Sequence, residues 1–586
     1  MNTRAENLRE QLDYEPVSLK FGTSGRRGLV ADLAQLEVYL NALAELEYLQ
    51  GLPRSEGGIV RGEDFFFACD LRPSSSTFVP GPRRRGELAQ AIAQAIEDAG
   101  MHPVYLGCIP TPALASYAFS QGKGSMMITG SHIPFDRNGY KTNTATRELL
   151  KRDEAPIQAC VDQIRARLYQ QPLASSPFAA HGSLAGMFKQ GSRPLPPEQP
   201  VAAEAYLRRY TDFFAGRSLR GLRLVAYQHS AVGRDLLVQL LEQFGAEVIP
   251  AGRSETFVPI DTEAIDEQQL GIIQELAAAA WREHGPIDAV VSTDGDSDRP
   301  LILGVEPVEG TGAPLPCRVR FFGGDLVGMV VAEYLGADAV VVPISCNDAV
   351  DRGGLKEVVQ PKTRIGSPFV IAGMEQALAQ GRQVVSGWEA NGGFLLGSNI
   401  TREGRTLRAL PTRDAFLPLL AVLLSAKEKG IPVSALFDRL PRRFSRAALL
   451  KQFPRATSLR MLGRFRPADQ RIEQVWFENG QITAWDGAGA EVTPATTTVA
   501  ELNRIRGELE GFFTAGLGFG SIVGLNYTDG VRLYFSNGDV AHMRPSGNAD
   551  ELRIYAVADS QERANAIAQL GVSEPEGILR RIERTA

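Results

Sequence analysis

The sequence has little of what marks exported, membrane-spanning or metal-stapled proteins. Its 5 cysteines are scattered and form no Cys-x-x-Cys pair, which argues against a disulfide framework or a zinc site and for a reducing compartment. The start of the chain is charged and lacks the apolar core of a secretory signal. The most apolar run, 416–424, contains Pro418 and is too short to span a bilayer.

The sequence also lacks an excess of positive charge. Lys and Arg number 62 against 68 Asp and Glu, for a net charge of −6, so no basic surface for nucleic acid or anionic lipid is expected. The 44% apolar and 22% charged residues are ordinary for a globular protein. We therefore expect a cytoplasmic protein, a monomer or homodimer, that acts on small molecules and binds neither nucleic acid nor membrane.

The order of secondary structure predicts an α/β protein of several domains. At about 150 residues per domain, 586 residues suggest about four. Apolar patterning predicts strand, helix, strand, helix and strand over 64–128, and similar alternations over 222–292 and 323–427. The segment 172–200, rich in Pro, Ser, Ala and Gly, predicts a linker or insertion. Near the C-terminus, Asn537-Gly538 between two apolar runs predicts a β-hairpin. We predict three similar α/β domains and a C-terminal α+β domain, with bounds 1–180, 200–315, 316–440 and 441–586.

One candidate site is the loop after the predicted strand at 126–128. It reads Thr129-Gly130-Ser131-His132 and is closed by Pro134. Ligands of α/β sheets collect beyond the carboxyl ends of strands, and a serine placed there can be a nucleophile or a phosphoryl carrier. A polar turn without chemistry is the alternative.

The second candidate is an acidic loop after the predicted strand at 288–292. Asp294, Asp296 and Asp298 alternate along the chain, so their carboxylates converge in an extended loop. Like charges repel when desolvated, and a hard cation such as Mg²⁺ would resolve that repulsion. An EF-hand is excluded, because its required Gly and Glu positions hold Arg299 and Val305. A haloacid-dehalogenase-type phosphatase fits poorly, and a solvated acidic turn is the remaining alternative.

Two further loops carry chemistry that suits a phosphorylated sugar. Glu389 and Asn391, two residues apart after a buried strand, could hold neighbouring sugar hydroxyls, although a glycine-rich turn is the alternative. The loop Arg544-Pro545-Ser546-Gly547-Asn548, with Arg553 nearby, combines a guanidinium, a hydroxyl, an amide and a glycine. Such a set suits phosphate. Near the N-terminus, a glycine-rich loop at 21–28 also carries two arginines.

The order of these motifs resembles the α-D-phosphohexomutase superfamily, which includes phosphomannomutase, phosphoglucomutase and phosphoglucosamine mutase. The resemblance covers about 21–557 and rests on the motifs Gly-Thr-Ser-Gly-Arg-Arg-Gly, Thr-Gly-Ser-His-Ile-Pro, Asp-Gly-Asp-Ser-Asp-Arg, Glu-Ala-Asn-Gly and Arg-Pro-Ser-Gly-Asn. It implies four domains around a central cleft, each supplying one loop. It also implies a phosphohexomutase that interconverts hexose 1-phosphate and hexose 6-phosphate through a phosphoserine, with a hexose 1,6-bisphosphate as intermediate and activator.

The resemblance assigns roles to residues in each loop. Ser131 would carry the phosphoryl group, with Lys141, Arg27 and His132 beside it; His132 and Lys141 are both candidates for the general acid or base. Mg²⁺ would be held by Asp294, Asp296, Asp298 and the Ser131 phosphate. The implied substrate-binding residues are Arg299, Thr363, Gly366, Glu389 and Asn391, and the implied phosphate-binding residues are Arg544, Ser546, Gly547, Asn548 and Arg553.

We favour mannose phosphate slightly over glucose phosphate as the substrate. The alternatives of other kinds are a sugar-phosphate-binding regulator without turnover and a Mg²⁺-dependent phosphatase.

Overall fold

The fold is described from a computed structural model that covers residues 7–22, 25–79, 85–184, 194–263, 265–308, 315–478, 480–546 and 550–585. Its contacts divide the chain into two compact units. Unit 1 comprises Met1–Phe322 and Gly393–Ser434, and unit 2 comprises Gly323–Gly392 and Ala435–Ala586. Within the described residues, no helix combines the length and the apolar character needed to cross a membrane.

The first part of unit 1 is an α/β layer around a five-stranded sheet of order β1-β7-β6-β2-β5. The inner strand β2 has the sequence D-F-F-F-A-C and is buried after its first residue. A strand covered on both faces needs such a continuous apolar run. The elements are α1 (Leu8–Gln11), β1 (Arg26–Leu29), α2 (Gln35–Gly51), β2 (Asp64–Cys69), α3 (Pro73–Ser76), β3 (Phe78–Val79), β4 (Arg85–Gly86), α4 (Leu88–Asp98), β5 (His102–Cys108), α5 (Thr111–Ser120), β6 (Ser125–Ile128), β7 (Arg137–Asn143) and α6 (Lys151–Tyr169).

The second part of unit 1 repeats this topology. Its sheet has the order β12-β11-β10-β8-β9. In both sheets one strand, β2 or β8, lies between the next two strands of the sheet and parallel to both, namely β5 and β6 or β9 and β10. The strand that follows, β7 or β11, pairs antiparallel with β6 or β10. The elements are α7 (Val201–Phe213), β8 (Arg223–His229), α8 (Arg234–Gln243), β9 (Glu247–Arg253), α9 (Glu267–His284), β10 (Ala289–Thr293), β11 (Pro300–Pro307) and β12 (Cys317–Phe321).

A reduced version of the same pattern begins unit 2. Strand β13 pairs in parallel with β14, while the second strand of the pattern is represented by two parallel bridges, Val340 to Val359 and Pro343 to Thr363. The chain then returns to unit 1, where β15 pairs antiparallel with β18. The elements are α10 (Gly324–Leu335), β13 (Ala339–Val341), α11 (Ser367–Ala379), β14 (Val385–Trp388), β15 (Phe394–Leu396), β16 (Ile400–Arg402), β17 (Arg405–Leu407), β18 (Leu410–Asp414), α12 (Phe416–Lys429) and α13 (Val433–Asp438).

The C-terminal part of unit 2 is an eight-stranded antiparallel sheet with helices, of order β19-β26-β25-β24-β23-β20-β21-β22. A hairpin forms where Asn537-Gly538 predicts it, between β24 and β25. The elements are β19 (Phe444–Lys451), α14 (Arg455–Gly463), β20 (Gln474–Glu478), β21 (Gln481–Trp485), β22 (Glu491–Val492), α15 (Thr496–Phe512), β23 (Ile522–Asn526), β24 (Val531–Phe535), β25 (Val540–Pro545), β26 (Glu551–Ala558), α16 (Gln561–Val572) and α17 (Ile578–Arg584).

The predicted class, α/β with an α+β C-terminal part, is confirmed. The alternation of strands and helices predicted over 64–128 is observed, and α4 ends at Asp98, shortly before Gly100 with its left-handed φ of +75°. In the alternation predicted over 222–292, α9 begins at Glu267, because Asp266 caps it by accepting a hydrogen bond from the Gln269 amide. The four domain boundaries and the central cleft stay predictions.

Candidate active site

Ser131 lies in the tight turn that follows β6. Its backbone has φ of +54°, the left-handed region that residues other than glycine adopt rarely and often at functional sites. The Ser131 amide donates a hydrogen bond to Thr129 Oγ1 at 2.7 Å, which closes the turn. The Ser131 hydroxyl donates to Asp294 Oδ2 at 2.9 Å. The predicted serine and the predicted acidic loop therefore meet, although 163 residues separate them.

The acidic loop follows β10 and buries all of its carboxylates. One oxygen from each of Asp294, Asp296 and Asp298 lies within 4.8 Å of the others. The loop turns at Ser297, whose φ is +57°, and Asp294 Oδ1 accepts hydrogen bonds from the amides of Asp298 and Arg299 at 3.1 and 3.2 Å. The backbone thus holds Asp294 in place by bonding one oxygen and leaves the other for Ser131.

Cationic side chains surround the carboxylates. Lys141, on β7, donates from Nζ to Asp298 Oδ2 at 2.6 Å and to Asp296 Oδ2 at 3.1 Å. Arg413, on β18, donates from Nε and Nη2 to Asp298 Oδ2 at 3.0 and 2.8 Å. Arg299 lies slightly farther away, with Nε 3.7 Å from Asp298 Oδ1. Buried ion pairs of this kind offset part of the cost of desolvating the charges.

The pKa values show how unevenly that charge is compensated. Burial and the neighbouring charges of Asp296 and Asp298 raise the pKa of Asp294 well above its ordinary value. Burial opposes ionisation of Asp296 and Asp298 as well, but Lys141 and Thr111 lower the pKa of Asp296, and Arg413 and Lys141 lower the pKa of Asp298. The surrounding cations therefore do not fully neutralise the negative charge near Asp294. An added cation in the cluster would favour the ionised form of Asp294.

The free oxygens of the cluster fit a hard divalent cation. Within the described part of the chain, Asp296 Oδ1 and Asp298 Oδ1 are buried and have no hydrogen-bond partner. The Oδ2 atoms of the same residues are engaged by Lys141, Thr111 and Arg413. Carboxylate oxygens grouped in this way are the ligands that Mg²⁺ takes, so the donor set fits the predicted ion.

The remaining predicted catalytic residues lie beside this cluster. Arg27, on β1, donates from Nη1 to the carbonyl oxygens of Arg26 and Tyr140 at 2.8 and 3.1 Å. Burial lowers the pKa of Arg27 to about 10, so it stays protonated at neutral pH. Gly25 permits this approach, because its φ is +74° and a Cβ there would lie 2.5 Å from the Tyr140 oxygen. His132 follows Ser131 and is partly buried.

Some residues of the site were not singled out by the sequence analysis. Thr111, the first residue of α5, donates from its hydroxyl to Asp296 Oδ2 at 2.7 Å and from its amide to the Asp296 carbonyl at 3.0 Å. Its local sequence indicates only a helix start. Arg413 lies 115 residues from Asp298, and no local motif marks it. Asp70 and Arg72, at the carboxyl end of β2, could have been found, because the sheet rule places them at the same edge as Ser131.

In unit 2 the predicted Thr363–Gly366 loop and phosphate loop share one partner. Asp529 Oδ2 accepts a hydrogen bond from the Ile365 amide at 3.0 Å, and Asp529 Oδ1 lies 3.4 Å from Arg544 Nε. The Asp529 carbonyl oxygen also accepts from His542 Nε2 at 2.5 Å, so it receives a ring N–H. One carboxylate therefore contacts both loops.

The other predicted binding residues of unit 2 lie on two strands and the loop after a third. Arg544 and Arg553 are directly opposite each other on β25 and β26, and the Ser546 amide donates to the Glu551 carbonyl at 2.9 Å. Glu389 and Asn391 are buried just after β14, in the position that Ser131 and Asp294 occupy after β6 and β10. The predicted Gly547 and Asn548 lie outside the described residues.

Comparison with known proteins agrees with these motifs. Family models for phosphoglucomutase/phosphomannomutase match the chain at 82–168 (alpha/beta/alpha domain I), 323–444 (alpha/beta/alpha domain III) and 490–570 (C-terminal domain). A protein of Sinorhizobium fredii named phosphomannomutase is 36% identical over 94% of this chain and 98% of the relative. A phosphomannomutase of Salmonella muenchen is 34% identical over 95% of each chain.

The crystal structure of a phosphoglucomutase/phosphomannomutase family protein from Burkholderia thailandensis has the same fold. It superposes with a TM-score of 0.59 at 17% identity and covers 96% of this chain and 97% of its own. Two relatives are identical to this chain at 36% and 34% of positions over nearly its full length, and the family models match three of its regions. Together these matches assign the whole chain to one family. The chain belongs to the phosphoglucomutase/phosphomannomutase family, within the α-D-phosphohexomutase superfamily.

Proposed function

We propose that this protein is a phosphomannomutase, which converts mannose 1-phosphate and mannose 6-phosphate into each other through a phosphorylated Ser131. The observation that carries the proposal is the contact between the Ser131 hydroxyl and Asp294 at 2.9 Å, inside a cluster of carboxylates and cations. Phosphoryl transfer needs in-line positioning and neutralisation of charge rather than covalent chemistry by the protein. The choice of mannose is supported by the two nearly full-length relatives that carry that name.

The reaction consists of two transfers. In the first, the bond between phosphorus and Ser131 Oγ breaks, a bond forms between phosphorus and the free sugar hydroxyl, and the hydroxyl proton passes to a base. The product is a hexose 1,6-bisphosphate. After this intermediate turns end for end, a bond forms between its other phosphorus and Ser131 Oγ and the bond between that phosphorus and the sugar oxygen breaks. The base gives its proton to that sugar oxygen.

Asp294, Asp296 and Asp298 would hold Mg²⁺ together with a Ser131 phosphate. When bound, the ion would neutralise negative charge on the phosphoryl oxygens. Lys141 holds Asp296 and Asp298 by one oxygen each, which would leave their Oδ1 atoms for the ion.

We assign the transferred proton to His132. An ammonium group has three donors and no acceptor, and Lys141 Nζ donates to two carboxylates at 2.6 and 3.1 Å. Lys141 therefore serves as a fixed positive charge near Ser131 rather than as the base. His132 adjoins Ser131, and a neutral imidazole can both take and return a proton near neutral pH.

The binding of the sugar and of its second phosphate is assigned to the other loops. Glu389 and Asn391 would hold sugar hydroxyls, and Arg299 and the loop from Thr363 to Gly366 would also contact the substrate. The distal phosphate would be bound by Arg544, Ser546, Gly547, Asn548 and Arg553. A fixed phosphate site explains how the enzyme accepts the intermediate in both orientations.

The test measures isomerisation and phosphate on Ser131 in the same protein. Wild type should convert mannose 1-phosphate with hexose 1,6-bisphosphate as activator, and peptide mass analysis should find phosphate on Ser131. Ser131→Ala should lose both, whereas Ser120→Ala, an exposed serine on α5, should lose neither. Isomerisation that survives in Ser131→Ala contradicts the proposal.

A substrate panel separates the alternatives. Values of kcat/KM for mannose, glucose, glucosamine and N-acetylglucosamine 1-phosphates should favour mannose. Glucose 1-phosphate as the better substrate would make the enzyme a phosphoglucomutase. A regulator would bind these sugars without exchanging phosphate with a labelled bisphosphate, and a phosphatase would release inorganic phosphate.

A further inference from the structure

The buried guanidinium of Arg72 donates hydrogen bonds to several backbone carbonyl oxygens of the Ser131 loop and the residues after it. Its Nη2 donates to the carbonyl oxygens of Ser131 and Ile133 at 2.8 and 2.5 Å. Its Nη1 donates to those of Pro134 and Arg137 at 2.7 and 3.0 Å. Arg72 is 1% exposed, so water does not compete for these bonds. The planar fork of arginine suits several acceptors held in fixed directions.

Asp70 completes the attachment of this loop. Its Oδ2 accepts hydrogen bonds from Arg72 Nε at 3.2 Å, from the Thr129 hydroxyl at 2.8 Å and from the Gly130 amide at 3.2 Å. Its Oδ1 accepts from the Arg72 amide at 3.0 Å and the Ser75 hydroxyl at 2.8 Å. The loop is thus bonded to the end of β2 on both sides of Ser131, and β2 is an inner strand of its sheet.

Phe257 connects this arrangement to the metal loop. The Arg72 guanidinium carbon lies 3.9 Å from the centre of the Phe257 ring, a cation–π contact. The ring also covers Gly295, where a Cβ would lie 2.9 Å from the ring and 2.7 Å from the Ser131 carbonyl oxygen. Only a residue without a side chain lets the Ser131 loop and the metal loop approach this closely.

We propose that Arg72 and Phe257 are positioning residues that set the distance between Ser131 and the carboxylates of the metal loop. The Arg72 guanidinium binds carbonyl oxygens of the serine loop, and the Phe257 ring packs on that guanidinium and next to Gly295 of the metal loop. The phosphoryl group on Ser131 therefore reaches its in-line geometry without reorganisation during the reaction. The inference rests on the proposed function, in which Ser131 is the phosphoryl carrier.

The test uses Arg72→Lys and Phe257→Leu, which keep the charge and the bulk respectively. Arg72→Ala is less informative, because it leaves Asp70 buried without its cation and can unfold the protein. Arg72→Lys keeps a charge but cannot hold four carbonyls, and Phe257→Leu removes the ring. A misplacement of about 1 Å costs about 100-fold in rate, so we expect kcat to fall by about that factor in Arg72→Lys and by about 10-fold in Phe257→Leu, with KM for the sugar phosphate little changed.

Amide hydrogen exchange supplies a readout that does not depend on turnover. In both variants the amides of 129–133 should exchange faster than in wild type, while those of the inner strand β2 keep their protection. The matched control is Arg85→Lys. Arg85 is also buried, donates to the Ala31 and His181 carbonyl oxygens at 2.9 Å each, and stacks on Tyr14 at 4.8 Å. Its substitution should lower the melting temperature and leave kcat unchanged.

The results distinguish this inference from the proposed function. If wild type isomerises the sugar and Arg72→Lys and Phe257→Leu keep its kcat, the positioning role is wrong. The positioning role is also wrong if the decrease in kcat of the variants, Arg85→Lys included, merely follows the decrease in their melting temperature. A purely structural role would produce that correlation. If wild type carries no phosphate on Ser131, the proposed function fails instead, whereas faster exchange of 129–133 in the variants would still show that the residues hold the loop.

Discussion

Thr111 offers the sharpest single test of the proposed metal site, because one buried hydroxyl orients one carboxylate. The hydroxyl donates to Asp296 Oδ2 at 2.7 Å, and Lys141 Nζ donates to the same atom at 3.1 Å. The other oxygen of Asp296 has no hydrogen-bond partner among the described residues. Thr111→Val removes the hydroxyl and keeps the shape of the side chain, so Asp296 loses one of the two donors that fix its Oδ2 atom and thereby orient the oxygen proposed to bind the ion.

The size of the effect follows from the kind of bond. A hydrogen bond to a charged group contributes about 1.5 to 3 kcal/mol, and each ~1.4 kcal/mol corresponds to a factor of ten. Groups that orient a metal ligand typically change metal affinity by about 10- to 100-fold. We therefore expect the Kd for Mg²⁺ to rise by about 10- to 100-fold in Thr111→Val. KM for the sugar phosphate should change little, because Thr111 contacts the carboxylate and not the proposed sugar loops.

The assay is a Mg²⁺ titration of the purified protein by calorimetry, with Mn²⁺ as a second ion. Thr111→Ser is the matched control, since it keeps the hydroxyl and should keep the wild-type Kd. Melting temperatures of all three proteins show whether the fold is retained. An unchanged Kd in a folded Thr111→Val protein would refute the reasoning that Asp296 is a ligand oriented by Thr111.

Two predictions concern unit 2. Arg544→Ala should raise KM for the sugar phosphate by about 10-fold or more, because a charged hydrogen bond to phosphate is lost; kcat should change less, Arg504→Ala on α15 is the control, and an unaltered KM would move the phosphate site elsewhere. Burial lowers the pKa of His542 to about 3, against about 6.5 in the unfolded chain. The unfolded chain then binds the extra proton, so the free energy of unfolding should fall between pH 6.5 and 3 by up to about 1.4 kcal/mol per pH unit. Acid titration should show this loss, and a His542→Gln protein with the same slope would contradict it.

Local sequence was sufficient for the main strands and helices of the three α/β regions and for selecting the loops that we propose to form the site, but not for the elements between 442 and 510. The apolar run of β2, the strand before Ser131 and the alternating carboxylates after β10 are short patterns whose physical reading needs no distant partner. Because the carboxyl ends of parallel strands meet at one edge of a sheet, the loops with chemistry could be selected from the sequence. No single loop was enough to indicate the family, but the order of the motifs along the chain resembled that of one superfamily.

Some of the site depended on residues whose local sequence gives no signal. Arg413 donates a hydrogen bond to Asp298, which is 115 positions away in the sequence. Phe257 lies in a loop without a recognisable motif, and only the structure places its ring against Arg72 and next to Gly295. Their roles arise from packing between elements distant in the chain, and pairwise distances of that kind are not encoded in any local pattern.

The sequence by itself determined which polar and charged residues follow which strands. Apolar periodicity and turn residues predict strands and their ends from a few neighbouring positions. Tertiary structure alone decided that Ser131 Oγ lies 2.9 Å from Asp294 and which carboxylate oxygens remain free for an ion. It also decided that Lys141 Nζ pairs with Asp296 and Asp298, the observation on which the proposed assignment of proton transfer to His132 rests. Those outcomes depend on how two similar sheets pack their loops together, and the energies of burial and charge pairing exist only once they have done so.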